Sequence, residues 1–209
     1  MTTMTTKSNK LLHVTSRVNA VLSKVSRFLL GILILITTQQ VIARYLFNAT
    51  SIALQELQQH CFCALTLLTL STAQANDGHV RVDIFYARFS SKRKILVNFL
   101  GCLFGMIPTS IVLIWFGGSF ALRALDYPNP RPDDFYTSEI FTKNSAIYEI
   151  SRGIEGWLRA YLLPGEVSSN PGGLEGKFWI KALLPLAGIT LLLQSISDIF
   201  SQLVKLKKQ

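Results

Sequence analysis

The chain reads as an all-α membrane protein with four transmembrane helices, N and C termini in the cytoplasm, interfacial amphipathic helices and one enlarged external loop. Three observations predict this. First, 49% of the 209 residues are apolar and only 16% are charged, with a mean hydropathy of +0.35, which is far from a water-soluble domain of this length. Second, four segments supply the roughly 20 apolar residues that a helix needs to cross a hydrocarbon core of about 30 Å. Third, the basic residues fall on alternate sides of those segments. Residues 1–209 are expected to form a single integral membrane domain.

The first span is placed at about residues 28–47. In the arm before it, Leu11, Val14, Val18, Val21, Val25 and Phe28 recur at helical steps, while Lys10, Arg17 and Lys24 recur every seven residues on another face. The pattern predicts an amphipathic helix running into the span. It is either an interfacial anchor or the solvated end of one long, tilted helix. The apolar run passes into Thr37-Thr38-Gln39-Gln40 and then Arg44 with no small-residue cleavage site, so it is read as a retained helix rather than a secretory signal.

A tight "FNATS" connection leads to the second span, about 52–75. That span ends at "NDGHVRVD", residues 76 to 83, where Gly78 suits a helix terminus and His79, Arg81 and Asp83 suit the headgroup level. The following "VRVDIFYARFSSKRK" mixes aromatic and basic residues like a second interfacial helix. The third span, about 95–121, carries Gly101 and Gly105 four residues apart, a spacing that permits close helix approach in lipid. It serves either packing within the chain or a partner helix.

The external segment, 126–178, opens with "DYPNPRPDDFY", whose prolines forbid helix. It then turns amphipathic. Ile147, Ile150, Ile154, Trp157, Leu158 and Tyr161 share one helical face, Asn144 or Ser145 can cap the start, and Pro164-Gly165 stops the helix. Its aromatic residues suit the outer headgroup layer. "SSNPGG" is a turn before the fourth span, about 179–204.

Orientation follows from charge. The N-terminal arm, the link after the second span (Arg81, Arg88, Lys92, Arg93, Lys94) and the tail (Lys205, Lys207, Lys208) are strongly basic, whereas acids outnumber bases in 126–178. Positive loops stay in the cytoplasm, so both termini are placed inside. The formal charge of +9 is then a topology signal with some attraction to anionic lipid, and nucleic-acid binding is not expected.

Catalytic chemistry finds little support. Cys61 and Cys63 lie about 200° apart around a helix and cannot grip one metal. His60 and His79 are about 28 Å apart if they lie on one helix, which excludes a haem between them. The alternate spacing of Asp77, His79 and Asp83 suits a turn better than a metal site. Cys-x-x-Cys, His-Glu-x-x-His and Gly-x-Ser-x-Gly are absent. No catalytic, substrate-binding or metal residue is assigned, and no cofactor is expected. Among intramembrane charges, Arg44 and Glu56 come to similar depth across the tight connection, and the cost of an unpaired charge in lipid favours a pair, the alternative being two side chains that snorkel independently.

"ARYLFNATSIALQELQQH", an apolar helix and then "GHVRVD" resemble the small membrane subunit of tripartite ATP-independent periplasmic (TRAP) transporters, the DctQ family. The match falls on Arg44, Tyr45, Phe47, Asn48, Glu56, Leu57, Gly78, His79, Arg81, Val82 and Asp83. Ala53 and Gln55 depart from the family's usual Trp and Glu. The resemblance implies a non-catalytic small permease subunit of a secondary transporter in the bacterial inner membrane. Its partners would be the large TRAP membrane subunit, a periplasmic substrate-binding protein and membrane lipid, with sodium coupling and solute binding in the large subunit. Arg44, Asn48, Glu56, Gly78, His79, Arg81, Asp83, Gly101 and Gly105 are the structural or partner-contact candidates. The competing reading is an accessory or anchor subunit of a different inner-membrane complex.

Overall fold

The computed structural model describes residues 2–76, 89–127, 137–140, 145–170 and 172–207, and among them every regular element is helical. The long helices are α1 (Thr2–Phe47), α2 (Ile52–Ala75), α3 (Ser91–Asp126) and α6 (Phe178–Lys207). Two shorter ones, α4 (Thr137–Ile140) and α5 (Ala146–Tyr161), lie between α3 and α6. By length and composition α1, α3 and α6 can cross a membrane. Helix α2, at 24 residues, has the length, but Gln55, Glu56, Gln58, Gln59 and His60 make its first two turns polar.

The expected arm and first span form one unbroken helix of 46 residues, about 69 Å long. Nothing between them breaks the hydrogen-bond ladder, because that stretch holds no proline and a single glycine, Gly31. Asn48 ends α1 in the left-handed region (φ 49°), and the Ala49 amide returns to the Ala43 carbonyl. Asn is the side chain that tolerates this conformation best after Gly. Ser51 then caps α2 by accepting from the Leu54 amide.

Helix α3 contains a π turn, Cys102–Met106, in which the Ile107 amide donates to Cys102. Pro108 follows directly. It has no N–H for the Phe104 carbonyl and its ring would strike that carbonyl, and the widened turn separates them.

Helix α6 is central, packing against α1, α2 and α3, while α1 also packs against α2. Its buried positions Ala187, Thr190, Leu191, Gln194 and Ser195 recur at three- and four-residue steps. The closest approach is to α3. A side-chain carbon at Gly188 would lie 2.9 Å from the Ser110 carbonyl oxygen, and one at Gly117 would lie 2.8 Å from Leu184 Cβ.

The distribution of polarity is the reverse of a soluble bundle. Ser71, Ser110, Ser195 and Ser197 are the largest fully buried side chains, while Phe28, Leu35, Phe104 and Trp115 are each at least 70% exposed. In water such a surface would collapse; in hydrocarbon, small and polar side chains are what holds helices together.

Candidate functional site

Two polar clusters organise the molecule. The first joins α1, α2 and α6 near the end of α2 that precedes the basic link. Ser71 Oγ donates to Asn19 Oδ1 (2.9 Å), and Asn19 Nδ2 donates to Gln194 Oε1 (2.9 Å). Gln194 Nε2 and Gln74 Nε2 then donate to the two carboxylate oxygens of Asp198, each at 2.9 Å. Gln74 also exchanges hydrogen bonds with the Ser195 hydroxyl (3.2 and 3.3 Å). Each such bond contributes roughly 0.6 kcal/mol in a membrane, but together they set the rotation of three helices about their axes. Sequence reasoning missed this cluster by considering only Arg44 and Glu56 among the polar residues of the spans. The signal was present in Gln194 and Asp198, one turn apart in an apolar segment, and in Gln74 at the end of another.

The second cluster sits at the opposite end and is built on Glu56. Its carboxylate accepts from Ser168 Oγ, from Asn170 Nδ2 (2.9 Å) and from the Leu174 amide (2.8 Å). The loop closes around it through Ser168 N to Leu174 O (2.9 Å) and Gly173 N to Asn170 O (3.0 Å). A side chain at Gly173 would collide with both Ser168 and Glu56, so glycine is required there. Glu56 therefore grips the predicted "SSNPGG" turn.

This corrects the expectation that Arg44 and Glu56 pair. Arg44 forms no ion pair among the described residues, and Glu56 takes partners more than a hundred positions away. Preorganised donors from a closed loop satisfy a carboxylate at less entropic cost than a long, mobile guanidinium does.

The same loop fastens the external segment to the helix ends. Ala124 O near the end of α3 accepts from the Glu166 amide (2.8 Å), Lys181 pairs with Glu166, and Trp179 Nε1 donates to Leu162 O (2.6 Å). Gly165 (φ +77°) lies against the Ala124 carbonyl, where any side chain would collide. Helix α5 starts as predicted, with Ser145 Oγ accepting from the Tyr148 amide (3.1 Å). Its inward face is ionic. Arg159 makes a two-pronged contact with Glu175 (2.9 and 2.8 Å), and Glu155 accepts from the Thr137 amide (2.8 Å) and hydroxyl (2.6 Å). The Glu175 side chain is 1% exposed. Ile147, Ile150, Ile154, Trp157 and Tyr161 point outward.

Of the other candidates, Gly78, His79, Arg81 and Asp83 lie outside the described residues. Gly101 and Gly105 are exposed, and among the described residues nothing lies within 4 Å of a side-chain carbon placed at either. A contrast between glycines follows. Gly188→Leu drives a side chain into the α3 backbone, and overpacking of this kind costs about 1–3 kcal/mol. It is expected to lower the folded chain recovered from membranes, whereas Gly105→Leu leaves recovery and thermal stability unchanged. Equal loss from both would show that the 101–105 face is packed internally.

Residues 33–132 match the family described as tripartite ATP-independent periplasmic transporters, DctQ component. No curated protein matches the chain.

Proposed function

We propose that this DctQ-family chain, a TRAP transporter component over residues 33–132, is the non-catalytic small permease subunit that holds the large membrane subunit in place. The large subunit would carry out ion-coupled uptake of a small, carboxylate-bearing solute delivered by a periplasmic binding protein. The observation that carries this reading is the family match together with apolar helix faces that stay exposed among the described residues. The exposed apolar residues Phe104, Trp115 and Phe116 of α3, beside the open Gly101 and Gly105, offer an apolar surface for another helix bundle.

In this reading α2 is the fourth span, lying beside α1 and α6 with its polar first turns under the external loop. Both termini are then cytoplasmic, and the chain resides in the bacterial inner membrane. Glu56 and the loop it grips form a rigid outer rim beside the large subunit, within reach of the binding protein.

The test has two arms. A cysteine at Arg152 in the external segment is expected to react with an impermeant thiol reagent in intact cells, and one at Arg93 is not. Affinity purification of the chain, co-expressed with its gene neighbours, is expected to recover a polytopic subunit of a dozen or so helices, and cells with both should accumulate a labelled carboxylate. Labelling at 93 would refute the topology. Recovery of the chain alone, with uptake independent of it, would refute the role.

A further inference from the structure

The outer ends of α1 and α2 enclose a polar groove of about 390 Å³ that the proposed scaffold role does not use. Gln40, Arg44, Tyr45, Gln55, Gln58 and Gln59 line it, with no acidic side chain among the lining residues. Two features mark it as incomplete. Arg44 has no ion-pair partner among the described residues, although an intramembrane or interfacial cation normally finds one. Gln40, 7% exposed, donates Nε2 to the Ser51 carbonyl (3.3 Å) and leaves its buried Oε1 without a hydrogen bond. A buried acceptor left in this state is unfavourable, having lost water without gaining a partner.

Beneath this groove and sharing Thr37, Gln58 and Gln59 with it runs a second cleft of about 230 Å³, completed by Leu33 and Phe62. At 1.5 Å per residue, Leu33 lies about 16 Å below Arg44 along α1, and Phe62 lies about 10 Å below Gln55 along α2. A cationic, amide-rich chamber at the interface thus opens downward into an apolar slot between the same two helices.

We propose that this groove binds one glycerophospholipid of the outer leaflet. Its phosphate meets Arg44 and the glutamine amides, a hydrogen-bond-donating headgroup satisfies Gln40, and an acyl chain follows the Leu33–Phe62 slot. The chemistry selects the class. The phosphate supplies the missing anion, a hydroxyl or ammonium supplies the missing donor, and the slot accepts only an apolar tail. A trimethylammonium headgroup has no donor, and inorganic phosphate has no tail. The proposal rests on the reading that α1 and α2 both lie in the bilayer.

Native mass spectrometry of the delipidated full chain, titrated with phosphatidylglycerol, tests it. The wild type is expected to retain one lipid about fivefold better than Arg44→Gln, the effect of losing roughly one hydrogen bond of about 1 kcal/mol. Thr37→Trp, which blocks the slot and leaves the charge, is expected to lose retention similarly. Phosphatidylcholine and diacylglycerol should bind the wild type no better than phosphatidylglycerol binds these variants, and millimolar inorganic phosphate should not displace the lipid. Equal retention by wild type and both variants, equal retention of phosphatidylcholine, or displacement by phosphate would each overturn the proposal. A photo-crosslinker at Gln58 should capture lipid in cells; capture of a protein would assign the groove to a partner helix instead. Alkaline carbonate extraction keeps the premise separate, because release of the chain into the supernatant would refute membrane insertion itself rather than the lipid site.

Discussion

Arg159→Ala is expected to unfold the α5 region while leaving the four long helices in place. The guanidinium is buried, holds both oxygens of a Glu175 carboxylate that is 1% exposed, and approaches Glu155 Oε1 at 3.6 Å. Deleting it leaves two carboxylates facing each other across the vacated space. Breaking a buried pair from one side costs about 3–5 kcal/mol, because the surviving charge has lost its partner without regaining water. The inward face of α5 is also held by Glu155 on Thr137 and by the buried Tyr148, and its end by the tie from Trp179 to Leu162, but the Arg159–Glu175 pair is its two-pronged ionic contact. Protease applied to the outer face of spheroplasts is therefore expected to cleave near Tyr161 and Leu162 in the variant and spare the wild type. Arg159→Lys should fall between them, since a single ammonium cannot make the two-pronged contact. Unchanged resistance in Arg159→Ala would show that α5 is held some other way.

The second large effect is expected at Glu56. Three donors converge on its carboxylate, two of the bonds part-buried and the one from Asn170 exposed, and hydrogen bonds to a charged group contribute about 1.5–3 kcal/mol each, less where water competes. Glu56→Gln keeps the shape but turns one acceptor into a donor facing other donors, so it should loosen the 166–176 loop almost as much as Glu56→Ala. Thermodynamic coupling distinguishes this from the simple pair that the sequence predicted. Glu56→Ala and Ser168→Ala share one contact, so their stability losses should fall short of additivity by at least about 0.5 kcal/mol. Glu56→Ala and Arg44→Ala should add within about 0.5 kcal/mol. Strong coupling to Arg44 and none to Ser168 would reverse the assignment.

Much of the architecture was legible because it depends on local chemistry. The second long helix matches its expected bounds, Ile52–Ala75, because the "FNATS" connection and Asn76 both interrupt helix. The external helix was read from its apolar periodicity and from Ser145 and Pro164-Gly165, and its bounds are Ala146–Tyr161. The π turn was not legible, because periodicity over so few residues cannot register one extra residue.

The sequence by itself determined the helical class and the family resemblance carried by residues 43–83, since each rests on composition, spacing or short motifs; of the four spans it predicted, three are helices long and apolar enough to cross a membrane. Tertiary structure alone decided which faces turn inward and which partner each polar side chain takes. In a soluble protein the apolar stripe of a helix points to the core and periodicity reveals it. Here the apolar stripes of α1 and α5 face outward, and Thr15, Ser26, Glu155 and Arg159 are buried. Lipid removes the hydrophobic penalty for exposing such a stripe, so orientation is set by small-residue packing and polar pairing instead. Those pairings join residues as distant as Glu56 and Ser168 or Asn19 and Gln194, a matching that no local pattern encodes.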